Sequence, residues 1–251
     1  MITEKDGAKL KAVFRDGWSN QARVENWVNR VTRAHFDNAA CRAAWIAALR
    51  AAAPPRRGAT ALDVGTGPGT IAQLWAEIGY RTTGLDFSPT MIAAGRQLAA
   101  DKNLSLTFVE DDAEHPPFPA AAFDVISSRL MLFTLPHPGA AIRRWAQLLK
   151  PGGRMVLIGG DMSPRDRKKL MNSAKKAAKQ SRCQWKPDKR YHAALQQLPF
   201  RDHTAATLSV VMEAAGLRQI HLAPVKIIVD AQRHAKQPAI VPFILIGQKE
   251  M

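Results

Sequence analysis

Residues 61–69 read Ala61-Leu62-Asp63-Val64-Gly65-Thr66-Gly67-Pro68-Gly69. Apolar Ala61, Leu62 and Val64 have the composition of the end of a buried parallel strand. Three glycines in five residues then force a tight turn into the helical pattern of Thr70 to Ile78. Bare backbone at Gly65, Gly67 and Gly69 lets a ligand approach the main chain closely, and the helix that follows points its N-terminus at whatever binds there. A nucleotide-like molecule suits such a turn, although many tight glycine turns bind nothing.

The next strand-like run, Arg81 to Leu85, ends in Asp86. An acid at the tip of a second strand is where a Rossmann-like site takes both hydroxyls of a ribose. The dinucleotide fingerprint requires Gly or Ala at position 70 if it begins at Gly65, and Thr70 stands there instead. Here the glycines are spaced G-x-G-x-G, with Asp63 two residues before the first.

With these residues in hand, the chain resembles the class I S-adenosylmethionine (SAM) dependent methyltransferases, of the type seen in small-molecule, quinone and natural-product methylation. The resemblance rests on Leu62 to Gly69, on Gly84-Leu85-Asp86-Phe87-Ser88-Pro89 with Met91, and on Glu110-Asp111-Asp112-Ala113-Glu114. Phe118-Pro119 before Phe123-Asp124-Val125, and Leu149-Lys150-Pro151-Gly152-Gly153, complete it. These blocks lie between about residues 60 and 160, and the flanks match the family loosely. The implied fold is α/β and Rossmann-like: a seven-stranded, mostly parallel sheet with helices on both faces and an antiparallel last strand.

The resemblance also implies roles. Asp63 would face the ammonium group of SAM, with Gly65, Thr66, Gly67 and Gly69 passing close to its methionine and ribose. Asp86 would accept the ribose hydroxyls, Phe87 and Met91 would line the adenine slot, Asp112 would take the adenine amino group and the Ala113 amide a ring nitrogen. Ser128 and Arg129 follow the fourth strand, at the carboxyl edge where open α/β sheets bind ligands. Leu130 stands where some relatives carry His, which puts a general base there in doubt. The expected product is S-adenosyl-L-homocysteine.

Trp18, Leu130, Phe133 and Tyr191 are candidates for a substrate wall, against the plainer reading of aromatic residues as core. The histidines His35, His115, His137, His192 and His203 read as loop or surface residues; His192, beside Tyr191, is the favoured base if one exists. No metal site is expected, since Cys41 and Cys183 sit in no ligand spacing and the histidines do not cluster with them. Two cysteines also fit a reducing compartment, and no run reaches the length of a membrane span, so a cytoplasmic location is expected.

The length of 251 residues suits one sizeable core with elaborations. The chain divides into an N-terminal helical cap over 1–58, the SAM-binding core over 59–160, a basic lid insertion over 161–203 and a C-terminal completion of the same domain over 204–251. Strands are predicted near 60–64, 81–85, 104–109, 123–128 and 154–159, with helices near 69–78, 89–101 and 139–149. Gly17 is expected to break the first helical stretch. Thr204 to Ala215 reads as a helix closed by Gly216, and Leu217 to Leu222 with Val241 to Ile246 as a closing antiparallel pair. Residues 225–238 carry no clear pattern.

The formal net charge is +15. Residues 161–190 hold eleven Lys or Arg against three Asp, so more than half of that charge lies in one segment. A basic lid would attract an anionic small molecule; the alternative is an RNA substrate whose phosphates the lysines grip. The sequence leaves the acceptor atom, the acceptor molecule and the oligomeric state open.

Overall fold

The computed structural model describes residues 2–33, 36–160, 189–200, 203–234 and 242–251. The expected lid therefore lies outside the described residues from 161 to 188, as do His35 and Cys183.

Seven strands form one sheet: β1 (Thr60–Val64), β2 (Arg81–Asp86), β3 (Thr107–Glu110), β4 (Phe123–Arg129), β5 (Leu149–Gly160), β6 (Leu217–Leu222) and β7 (Pro242–Lys249). Their order is β3-β2-β1-β4-β5-β7-β6. The pairings from β3 to β5 are parallel, and β7 runs antiparallel to both β5 and β6. This is the Rossmann-like sheet with a reversed last strand that the sequence predicts. The order reverses between β1 and β4, so the crevice beyond their carboxyl ends is the switch point at which such sheets bind ligands.

Alternation along the strands sorts side chains onto two cores. Ala61 and Val125 face a cluster with Trp45, Leu74 and Trp75, while Leu62 and Ile126 face one with Ile142, Trp145 and Met212. The first cluster is covered by the helices α3 (Ala39–Ala52) and α4 (Thr70–Ile78). The second is covered by α6 (Pro138–Leu148) and α8 (Ala205–Ala214). Residues 226–234, where the sequence shows no pattern, form helix α9 (Lys226–His234), which adds fully buried Ile228 to the first core. The remaining helix of the core, α5 (Pro89–Asp101), starts as predicted with Ser88 capping the Met91 amide and Pro89 in the first turn.

Ahead of the sheet lie α1 (Glu4–Trp18), α2 (Gln21–Trp27) and a π-helical turn at Val28–Arg33. Gly17 does not break α1; a Cβ there would lie 2.8 Å from Tyr191 Cε2, so the glycine makes room for that ring. Tyr191 belongs to α7 (Lys189–Gln196), which packs on α1 through Leu10, Phe14 and Ala194. Two strand boundaries also differ from expectation. Leu104 and Leu106 pack on Ile92 and Phe108 ahead of β3 instead of pairing in the sheet. β5 begins early, at Leu149, because a bulge at Pro151 to Gly153, with Gly152 at φ 71°, resumes pairing with β4.

Candidate active site

Beyond the carboxyl ends of β1, β2 and β4 lies a cavity of about 370 Å³. Its strand-tip wall contains Asp63, Gly65, Thr66, Gly67, Asp86, Phe87, Met91 and Arg129. Its other wall is largely helical and apolar, with Trp18, Trp27, Leu130, Met131, Phe133, Tyr191 and Leu195. Every residue expected to wall a substrate therefore borders the same cavity as most of those expected at the cofactor.

Asp63 sits at the end of β1 on the face shared with α4. Its carboxylate accepts from Thr66 Oγ1 and from Ser127 Oγ, each at 2.6 Å, and Ser127 in turn accepts from Trp75 Nε1 at 3.0 Å. Burial nevertheless pushes the Asp63 carboxyl up to about 6, against those hydrogen bonds and the nearby Arg129 charge. Asp86 is pushed up to about 6 in the same way, with burial the leading cause and the like charge of Asp63 adding to it. Its oxygens accept the Gly67 amide at 2.8 Å and the Ser88 amide at 2.9 Å. Each carboxylate oxygen has two lone pairs, so further donors can be taken from the cavity side.

Gly67, at φ 55°, would meet only Met91 Sδ at 3.8 Å if it carried a Cβ, so its backbone stands open beside the cavity. Gly65 differs: Met131 occupies the place where a side chain would go. Arg129 projects from the end of β4, its guanidinium carbon 5.4 Å from the Phe36 ring centroid. Burial pulls its pKa down to about 10, partly offset by Asp63, which leaves it charged at neutral pH. Leu130 follows at φ 53°, a left-handed conformation uncommon for leucine, and this turns the chain along the cavity rim.

Several residues expected at the site lie off this cavity. Gly69 does not line the cavity; it caps α4 at φ 74°, and a Cβ there would collide with Phe108 at 2.8 Å, so it serves helix-to-strand packing. Asp112 is also off the cavity, held by Lys11 Nζ of α1 at 2.6 Å and by the Glu114 amide at 2.9 Å. The Ala113 carbonyl accepts from Trp145 Nε1 at 2.7 Å, again away from the cavity. Ser128 faces the α6 side, opposite Ser127, with its hydroxyl buried and without a hydrogen-bond partner among the described residues. His192 is exposed on α7 and points away from the cavity, whereas its neighbour Tyr191 is buried and borders it.

The sequence reading missed Arg23, Trp27 and Leu195 in the helical wall, and Thr70, Ile71 and Thr134 deeper in. Trp27 reads as one position of an apolar helical stripe and Arg23 as one of the basic positions alternating with it. Asp112, Glu114 and His115 bring three potential metal-ligating atoms within 4.8 Å. Lys11 Nζ lies 2.6 Å from both carboxylates and supplies the positive charge there.

The sheet order and the switch-point cavity define a Rossmann-like fold of the class I methyltransferase kind. Residues 62–157 match the family model described as a methyltransferase domain. A malonyl-[acyl-carrier protein] O-methyltransferase of Enterobacter lignolyticus is 39% identical over 107 residues, 42% of this chain and 41% of that protein. A ubiquinone biosynthesis O-methyltransferase of Xanthomonas euvesicatoria is 35% identical over 111 residues, 43% of this chain and 45% of that protein. The similarity thus spans less than half the length of these curated relatives. Among solved structures, a SAM dependent methyltransferase from Aquifex aeolicus superposes with a TM-score of 0.59 at 14% identity, covering 91% of this chain and 98% of that one. Haemonchus contortus phosphoethanolamine N-methyltransferase 2, solved with S-adenosyl-L-methionine, gives 0.58 at 15% identity, covering 91% and 60%. These last two likenesses are of fold. No helix among the described residues is long and apolar enough to cross a membrane.

Proposed function

We propose that the protein transfers a methyl group from SAM to a small-molecule acceptor. The observation that carries this is the gathering of Asp63, the open Gly67 backbone and Asp86 along one wall of a single cavity at the switch point. When bound, SAM supplies a methyl group already activated on a sulfonium, so few catalytic side chains are required. Asp63 suits the ammonium group and Arg129 the carboxylate of its methionine end, a pair of opposite charges for a zwitterion. Asp86 suits the ribose hydroxyls, and Phe87 and Met91 offer apolar surface to the base.

The helical wall serves the acceptor. Its aromatic and aliphatic side chains keep water from the reacting centre and fix the acceptor's approach, which is the main contribution a protein makes to an in-line displacement. Among the described residues no histidine lines the cavity, and Tyr191 is a side chain of the helical wall that could move a proton. An acceptor that arrives already ionised, or that loses its proton to solvent, needs no more. The O-methyltransferase names of the curated relatives support an oxygen acceptor.

The test is to incubate the full chain with methyl-labelled SAM and a panel of hydroxylated and carboxylated small molecules, with bulk RNA as a separate arm. Label in a small molecule with stoichiometric S-adenosylhomocysteine is the expected result. Label confined to RNA would overturn the small-molecule reading.

A further inference from the structure

The end of the sheet away from the cavity, where the strands begin, gathers arginines that methyl transfer does not use. Arg50 stands in the last turn of α3, and Arg56 and Arg57 in the loop that leads from it to β1; all three are exposed. Exposed Arg81, the first residue of β2, donates from Nη2 to the Gly58 carbonyl of that loop at 3.2 Å. Arg154 of β5 donates from Nη1 to the Ala52 carbonyl at 2.7 Å. Tyr80 Oη donates to the Ala53 carbonyl at 3.0 Å, against the same stretch. Burial and then Asp124 push the Tyr80 pKa up while Arg154 and Arg56 pull it down, so both arginine charges reach this one hydroxyl.

The charge here is one-sided. Asp124, the acid acting on Tyr80, is answered by Lys150 Nζ at 2.7 Å. Among the described residues none of the five guanidinium groups meets a carboxylate, and the neutral carbonyls that orient Arg81 and Arg154 leave their charge in place. Like charges held together repel, and a polyanion relieves that repulsion. The planar fork of arginine matches phosphate oxygens in pairs. The large exposed apolar side chains of the described residues, Val210, Leu222, Ile227 and Met251, lie on other segments, so this loop has no anchor for a bilayer or for the apolar centre of a protein interface. Tyr80 is buried and offers no platform for stacking unpaired bases.

We infer that Arg50, Arg56, Arg57, Arg81 and Arg154 form a docking surface for the phosphate backbone of duplex nucleic acid, bound without regard to sequence. The duplex is not the methyl acceptor at this place, because the five residues of β1, about 16 Å of strand, separate the arginines from the cavity. The inference is therefore independent of the small-molecule acceptor proposed above.

The experiment titrates the full chain, saturated with S-adenosylhomocysteine, into a short fluorescein-labelled DNA duplex between about 50 and 200 mM salt. About four exposed contacts predict a slope of log affinity on log salt of roughly −4. Arg56→Gln with Arg57→Gln should flatten that slope by about 2, and Arg56→Lys with Arg57→Lys should restore it. Lys168→Gln with Lys169→Gln, which removes as much charge from the basic segment, should change the slope by less than about 0.5. No duplex binding at about 50 mM salt, or equal flattening by the arginine and lysine pairs, would overturn the inference. Arginine-dependent binding that is tighter to phosphatidylglycerol vesicles than to the duplex would overturn it in favour of a membrane surface. Competition between the duplex and S-adenosylhomocysteine would also overturn it, by moving the duplex to the cavity.

Discussion

Asp63 and Asp86 are buried carboxylates with raised pKa values, and this makes cofactor affinity depend on pH. Both titrate near 6 in the folded protein, and the ammonium and hydroxyl groups assigned to them favour the ionised forms. Affinity for SAM should therefore be level above about pH 7 and weaken as pH falls through about 6, measured calorimetrically. A flat profile between about pH 5 and 8 would contradict the assignment. Stability runs the other way. Each acid binds its proton more tightly folded than unfolded, so these two groups destabilise the ligand-free fold above about pH 6, and that cost is relieved as pH falls toward the unfolded value of 3.8. Ser127 links Asp63 to Trp75 in a buried relay, so Ser127→Ala would strand an indole N–H and remove one donor from the carboxylate. A loss of roughly 1–3 kcal/mol in urea unfolding is expected. At this scale the acids of β1 and β2 were legible because the glycine turn and strand ends fix their places locally. The pairing of Asp112 with Lys11 was not legible, because the two lie 101 residues apart and nothing in the local sequence announces it.

Helix α1 is tied across the edge of the sheet by polar contacts at both ends. Lys11 bridges Asp112 and Glu114, Arg15 meets Glu110 at 2.6 Å, and Ser88 and Thr90 donate to the Trp18 and Ser19 carbonyls. At the N-terminal end His137 reaches the Ile2 carbonyl at 3.0 Å and Glu114 at 3.2 Å. Burial works against the Lys11 charge, but its two carboxylate partners together raise its pKa. Glu114 is almost wholly buried, so Lys11→Met leaves it facing His137 without the lysine. That variant should loosen α1 by roughly 1–3 kcal/mol, read as faster amide exchange over residues 4–18 with the β1 and β4 amides unchanged. Exchange spread evenly over the whole molecule would contradict a local tie. The His137 pKa is raised, first by the Ile2 carbonyl and then by Glu114, against burial. Its contribution is complete below about pH 6.5 and is lost as pH rises through the raised value. Gly17 shows why this element was only partly legible. A glycine in a helical pattern reads as a break, but here it is a gap that admits Tyr191, and that gap exists only once α7 has packed on α1.

The whole molecule places two different surfaces on one cavity: a polar strand-tip wall from β1, β2 and β4, and an aromatic wall from helices outside the matched domain. The sheet order was legible because five sequence blocks fall in order at strand and turn positions, each with its own local chemistry. The helical wall was legible only in part: Trp18 and Tyr191 stood out as aromatic candidates, but Arg23 and Trp27 meet them only through tertiary packing, and their spacing in the chain resembles that of ordinary core and surface residues. The matched domain thus supplies the strand-tip wall, assigned above to the cofactor, and the flanking helices supply much of the wall assigned to the acceptor. The most direct test is calorimetric titration of SAM into the wild-type chain and into Asp86→Asn, which keeps the side chain's shape while removing its charge. One molecule bound per wild-type chain, with affinity reduced about tenfold or more in the variant and a melting temperature no lower than the wild type's, is the predicted result. No binding by the wild-type chain, or equal affinity in the two proteins, would contradict a cofactor cradle at these strand tips.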